Sequence, residues 1–202
     1  MKIVCVGRNY LAHAKELHNP VPTSPVLFIK PETALLRAGD FYLPSFSKEI
    51  HHEIELVVRI NRAGKSIAED FAKNYYSEIA LGIDFTARDL QEELKKQGLP
   101  WEKSKGFDNS AFVGNFLDKN AFENIQNLDF ALQINQKTVQ TGNTQDMIFA
   151  IDKIIADISQ YFTLKVGDLI FTGTPSGVGA VQIGDVLEGF LEGQSNFKFS
   201  IR

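Results

Sequence analysis

The stretch His51-His52-Glu53-Ile54-Glu55-Leu56-Val57-Val58 decides how this chain is read. Ile54, Leu56 and Val58 recur at every second residue, the period of a β-strand. On such a strand Glu53 and Glu55 share one face, about 7 Å apart by the rise per residue. Neighbouring carboxylates repel, and burial raises their pKa or forces protonation. A cation between them removes the conflict. Asp84 closes a second apolar run, Ile79-Ala80-Leu81-Gly82-Ile83, just before a predicted helix start. Glu-x-Glu with a strand-end Asp is an all-oxygen set of the kind that suits Mg2+ or Mn2+. An alternating acidic face also describes a solvated strand, so the metal reading needs other stretches that demand the same site.

Towards the N-terminus, Lys2 to Val6 reads as a short buried strand broken at Gly7-Arg8-Asn9-Tyr10. A short helix is predicted over 10–17, ended by Asn19-Pro20. His13 and Glu16 lie three apart on it, either an exposed ion pair or a histidine made more basic by a carboxylate. Pro20, Pro22 and Pro25 make the next segment an irregular loop able to act as a lid. Val26 to Lys30 is another strand, with Lys30 read as a surface residue before Pro31.

Towards the C-terminus, Ser66-Ile67-Ala68-Glu69 matches a capping box and predicts a helix to about Tyr76. Thr86 is the expected N-cap of a helix over 87–97, closed by Gly98 with Pro100 beyond it. Arg88 and Gln91 project from its first turn close to Asp84; Arg88 suits either the surface or a substrate carboxylate. Leu128, Phe130, Leu132 and Ile134 alternate in a predicted hairpin over 127–140. Asn143-Thr144 is read as the cap of a helix carrying Met147, Ile151, Ile154, Ile155, Ile158 and Phe162 on its core face. Phe171 to Gly179 is rich in Gly and Thr but lacks the lysine of a phosphate-binding loop. It is either a plain turn or a tight loop whose N–H groups hold an anion.

With 202 residues, 44 % of them hydrophobic, and 16 phenylalanines, the chain suits one well-packed domain over 1–202. A net charge of −4 gives no electrostatic footprint for nucleic acid. The lone Cys5 fits a reducing compartment and an inert core position. No stretch approaches the roughly 18 apolar residues of a membrane span. A cytoplasmic protein is expected.

At this point the chain resembles the fumarylacetoacetate hydrolase family, and within it the single-domain acylpyruvase/oxaloacetate decarboxylase branch. The resemblance rests on Val6-Gly7-Arg8-Asn9-Tyr10 with His13 and Glu16, Leu27 to Pro31, His52 to Leu56, and Asp84 to Asp89. Further on it rests on Gly98 to Trp101, Lys105 to Asp108, and Thr172 to Gly179, so it spans nearly the whole chain in order. It implies an α+β, mostly β fold, a mixed β-roll with a few peripheral helices, in a homodimer. It implies Mg2+ or Mn2+ on Glu53, Glu55 and Asp84, an active-site Lys105, and a water-activating pair, His13 with Glu16. Arg8, Arg88, Gln91 and Thr174 stand at positions that touch a small 2-oxo acid substrate in such enzymes. The expected reaction is hydrolysis of a C–C bond in an acylpyruvate to pyruvate and a carboxylic acid. The alternatives are oxaloacetate decarboxylation, a metal-dependent proton shift in a 2-oxo acid, and a non-catalytic metal-binding protein. One departure is Phe112 of Ser110-Ala111-Phe112, where the family commonly has proline.

Overall fold

The two apolar runs on either side of the acidic residues pair with each other at the centre of the fold. A computed structural model describes residues 1–12 and 21–202. His13 and Glu16, and the helix predicted over them, lie outside the described residues. In chain order the strands are β1 (Ile3–Gly7), β2 (Val26–Lys30), β3 (Leu35–Leu36), β4 (Ile50–His52), β5 (Ile54–Ile60), β6 (Tyr76–Asp84) and β7 (Thr86–Ala87). Then come β8 (Ala111–Val113), β9 (Leu117–Asp118), β10 (Asp129–Ile134), β11 (Lys137–Asn143), β12 (Leu169–Phe171), β13 (Gly179–Ala180), β14 (Val186–Leu191) and β15 (Gln194–Ser200). The α-helices are α1 (Glu69–Ala72), α2 (Arg88–Gln97), α3 (Glu102–Lys105) and α4 (Ile151–Tyr161).

The main sheet runs β2-β1-β12-β5-β6-β8-β3, with β9 also pairing β6. It is mixed: β1–β12 and β3–β8 are parallel, whereas β12–β5 and β5–β6 are antiparallel. A four-stranded sheet (β11-β10-β14-β15) and a three-stranded one (β13-β4-β7) complete a mostly β architecture. The alternation in β5 and β6 explains how the sheet sits. Ile54, Leu56, Val58, Ile79, Leu81 and Ile83 all point into the main core, shared with Ile151, Ile154, Ile155 and Ile158 of α4. Val57 points the other way, into a smaller cluster with Ile3, Cys5, Leu169 and Phe171. The sheet is therefore covered on both faces at its centre, as its apolar β5 run requires. Cys5 is fully buried and burial pushes its thiol well up, in keeping with inert core.

Three helix expectations change. Ser66 does not cap a long helix: its φ is +50, and Ile67 N–H instead donates to Ser159 Oγ of α4 at 2.8 Å. The helix shrinks to the single turn α1 because tertiary contacts to α4 claim its first residues. Asn143 does cap, accepting from Gln145 N–H, but what it caps is a 3-10 turn over Thr144–Asp146. The chain then bends, and α4 begins only at Ile151. The predicted cap Thr86 is engaged elsewhere, as described below. Phe112, the departure from the family pattern, packs its ring against Phe197 and Phe199, with centroids 5.0 and 4.2 Å away. Among the described residues no helix is long and apolar enough to cross a membrane.

Candidate active site

The pairing of β5 with β6 brings the three acids together. Asp84 N–H donates to Glu53 O at 2.9 Å, and Glu55 lies opposite Gly82. Glu53 sits in the break between β4 and β5, so the acidic stretch is not one continuous strand. Glu53, Glu55 and Asp84 are all buried and offer carboxylate oxygens lying within 4.8 Å of one another. Gly82 is required by close packing: a Cβ there would sit 2.7 Å from both Phe112 O and Val57 Cγ2. Burial, then the charges of Asp84 and Glu53, push the Glu55 carboxyl well above the usual range, against the lowering effect of Gly173 N–H. Asp84 Oδ1 is buried and accepts no hydrogen bond, although Lys30 Nζ stands 2.8 Å away as an ion pair. Three buried hard oxygen donors within 4.8 Å of one another fit a small divalent cation.

Three cations answer the three acids. The one-turn helix α3 aims Lys105 inward, where Nζ donates to Glu53 Oε2 and Asp84 Oδ2, both at 2.8 Å, and to Thr86 Oγ1 at 2.7 Å. Burial pulls the Lys105 pKa down, but the carboxylates of Asp84 and Glu53 outweigh it and hold the ammonium above its ordinary range. This is why Thr86 does not cap α2. Its hydroxyl serves Lys105, Ala87 takes the cap position without a side-chain bond, and Asp89 is drawn to Ser47 Oγ and Lys48 N–H. Arg88 pairs with Glu53 and donates to Gln91 Oε1, so the i, i+3 spacing does bring these residues to the site.

Lys30 overturns the surface reading. It is fully buried, with Nζ donating to Phe85 O, Ser110 O, Ser110 Oγ and Lys105 O besides its ion pair with Asp84. The strand of residues 26–30 is read correctly from its sequence, but nothing in it says that Asp84 and three carbonyls wait at its end.

The Gly-Thr loop after β12 turns one backbone N–H on a carboxyl group of the protein itself, that of Glu55, while its threonine hydroxyls bond elsewhere, Thr172 to Leu56 O and Thr174 to Gln140. Gly173 N–H donates to Glu55 Oε2 at 2.6 Å. Gly173 has φ +105, and a Cβ there would sit 2.6 Å from Asn9 Cβ, so glycine is required twice over. Asn9 pins the loop: its Nδ2 donates to Thr172 O and Phe149 O, and its Oδ1 accepts from Phe149 N–H.

Gln140, which the sequence marked only as a hairpin residue, is buried and ties the loop to β4. Its Nε2 donates to Thr174 Oγ1 and Pro175 O, and its Oε1 accepts from Ile54 N–H. Since Pro175 O can only accept and Ile54 N–H can only donate, the amide has one orientation. His52, 2.8 Å away, must then donate to Oε1 through Nδ1. Burial, opposed by that hydrogen bond, lowers the His52 pKa from its usual 6.5. A depressed pKa means that the contribution of His52 to stability is complete above 6.5 and is lost as pH falls through the folded value. Urea titrations at stepped pH are expected to show unfolding free energy falling below that point, with a shallower fall in His52→Gln. Identical slopes in the two proteins would reject the assignment.

The carboxylates open into a narrow cleft of about 40 Å3 lined also by Arg8, Arg88, Gln91, Lys95, Trp101 and Thr174. Arg8 adopts φ +62, a conformation uncommon outside glycine, at the turn that ends β1. A more apolar cavity of about 280 Å3, between β2 and residues 99–102, shares Phe28, Trp101 and Lys105 with the cleft. The expected metal and substrate positions thus meet in one place, with His13 and Glu16 outside the described residues.

Residues 2–201 match the family described as fumarylacetoacetate (FAA) hydrolase C-terminal. The chain belongs to this family. It is 43 % identical over 200 residues to the mitochondrial oxaloacetate tautomerase FAHD1 of Rattus norvegicus, covering 98 % of this chain and 90 % of that protein. It is 40 % identical over 203 residues to the mitochondrial oxaloacetate decarboxylase of Dictyostelium discoideum, covering 99 % and 93 %. Among solved structures, a fumarylpyruvate hydrolase from Pseudomonas aeruginosa in complex with Mn2+ and pyruvate superposes with a TM-score of 0.93. It is 33 % identical, with 100 % of this chain and 89 % of that one covered. Family members thus act on small 2-oxo acids, and the acidic triad of this chain has the make-up of a metal site.

Proposed function

We propose that this chain is a Mg2+- or Mn2+-dependent oxaloacetate tautomerase, interconverting the keto and enol forms. The observation that carries this reading is the charge balance of the cleft. Among the described residues the acids Glu53, Glu55 and Asp84 are outnumbered by cations: Lys30, Lys105 and Arg88 pair with Glu53 or Asp84, and Arg8 and Lys95 line the same cleft. A divalent cation adds to that positive excess, which a 2-oxo dicarboxylate offsets more fully than an acylpyruvate monoanion. The names of the two relatives point the same way, so hydrolysis, the leading expectation from the motifs, becomes the second reading. What keeps it in play is the larger cavity beside Lys105, which has room and apolar walls for an acyl group.

Glu53, Glu55 and Asp84 would hold the cation, which when bound supplies Lewis-acid polarisation of the 2-oxo group. In the keto-to-enol direction a C3–H bond breaks and an O–H bond forms at the 2-oxo oxygen, with atoms conserved. Lys105, held protonated with its N–H groups on Glu53, Asp84 and Thr86, sets its positive charge beside the developing enolate. Arg88, held by Glu53 and Gln91, orients a substrate carboxylate. His13, three residues from Glu16, is the base we assign to take the C3 proton and return it to the 2-oxo oxygen.

Following the enol absorbance of oxaloacetate with Mg2+ or with EDTA tests this. Interconversion that is Mg2+-dependent and much faster than pyruvate release is expected, with acetylpyruvate cleaved slowly or not at all. A higher kcat/KM for acetylpyruvate cleavage than for tautomerisation would hand the assignment to the hydrolase.

A further inference from the structure

On α2 the residues Arg88, Gln91 and Lys95 occupy positions i, i+3 and i+7, one face of the helix, and all three line the cleft. Arg88 and Gln91 are engaged with each other and with Glu53. Lys95 is not. It lies about one helical turn, roughly 5.4 Å, beyond Gln91 towards the cleft mouth, half-buried, with Nζ 5.5 Å from the centroid of the Trp101 ring. Among the described residues neither Lys95 nor Arg8, the other cation lining the mouth, has an acidic partner in an ion pair. Burial, then the neighbouring charges of Arg88 and Arg8, lower the Lys95 pKa, and the charge of Glu53 offsets this only in part. A lysine in the last turn of a helix is often no more than a partner for the helix dipole. This one instead lies over an aromatic face, directed into the cleft that holds the carboxylates.

We infer that Lys95, with Arg8, forms a second anion site at the cleft mouth that takes the distal carboxylate of a dicarboxylic substrate. The inference rests on the proposed action on a 2-oxo dicarboxylate and adds the residues that would select for it. The Trp101 ring face lies 5.5 Å from the Lys95 ammonium, a cation–π contact that orients the charge without neutralising it. An inner end of the substrate then meets Arg88 and the acid triad, and an outer end meets Lys95 and Arg8. A monocarboxylate fills only the inner end.

The test is calorimetric binding of L-malate and L-lactate to the Mg2+-loaded protein. These 2-hydroxy acids share the inner carboxylate and hydroxyl and differ by the distal carboxylate. The wild type is expected to bind malate more tightly. Lys95→Met, which keeps most of the side-chain length but removes the charge, should weaken malate about tenfold, the scale of one lost charged hydrogen bond, and leave lactate within about twofold. Lys95→Arg should retain the preference for malate, and Lys95→Gln serves if the Met variant misfolds. Parallel weakening of both ligands would make Lys95 only a prop for Trp101. An unchanged malate-to-lactate ratio, or no preference in the wild type, would likewise overturn the site. If oxaloacetate is not tautomerised yet Lys95→Met still abolishes the malate preference, the proposed reaction fails and this site stands.

Discussion

Lys30→Met is expected to cost about 3–5 kcal/mol of unfolding free energy, the scale of removing one partner from a buried ion pair. For a chain of this length that lowers Tm on the order of 10 °C. The substitution preserves most of the side-chain volume, so the loss is not a cavity effect. It strips the ammonium from Asp84 and leaves Phe85 O and Ser110 O without their Lys30 donor in a fully buried site. Lys105 still contacts Asp84, but its own main-chain carbonyl also loses its bond to Lys30. That bond anchors the turn that places the Lys105 side chain. Activity is therefore expected to fall with stability, and measurements well below the new Tm separate the two. Urea unfolding of Lys30→Met beside a Lys30→Met/Asp84→Asn double variant reads the coupling. A loss under about 1 kcal/mol in the single variant would show that neither the ion pair nor the carbonyl contacts matter as described.

Lys30 also shows where sequence reasoning stops. The central strands β5 and β6 were legible because they carry period-two apolar runs, whereas β3, β8 and β9 of the same sheet are only two or three residues long and gave no such signal. The acidic triad was legible because two acids two apart and one at a strand end have few reasons to be buried except a cation. Each of those signals is local. The positions of Lys30, Gln140 and Lys95 depend on contacts 55 to 88 residues away, or on a turn elsewhere folding against them. The same holds for the misread caps. Ser66 and Thr86 have the right side chains for N-caps, but Ser159 and Lys105 offered competing partners that local rules do not see. The Gly-Thr loop was half legible: a backbone N–H donor was read from its glycines, while the carboxyl group that Gly173 serves, Glu55, lies 118 residues earlier in the chain.

That loop bond sets the terms for Glu55→Gln, the variant expected to move stability and activity in opposite directions. Gln is isosteric and still accepts from Gly173 N–H, so the loop contact survives. What disappears is a buried negative charge already disfavoured by desolvation and by Asp84 and Glu53. Without divalent cation the variant should therefore unfold at a higher temperature than the wild type. The response to Mg2+ should reverse that order. A site that binds only in the folded state gains about 2.7 kcal/mol at a hundredfold excess over Kd, about 5–10 °C for a chain of this length. The wild type should show that rise, and Glu55→Gln, with one of three charged ligands gone, should show little of it. Enolisation should fall by about two to four orders of magnitude, the range spanned when several kcal/mol of charge stabilisation are lost. Thermal melts in Mg2+ and in EDTA check both halves. A variant that melts below the wild type in EDTA, or rises equally in Mg2+, would mean that Glu55 is a structural acid held for Gly173 and not for a cation.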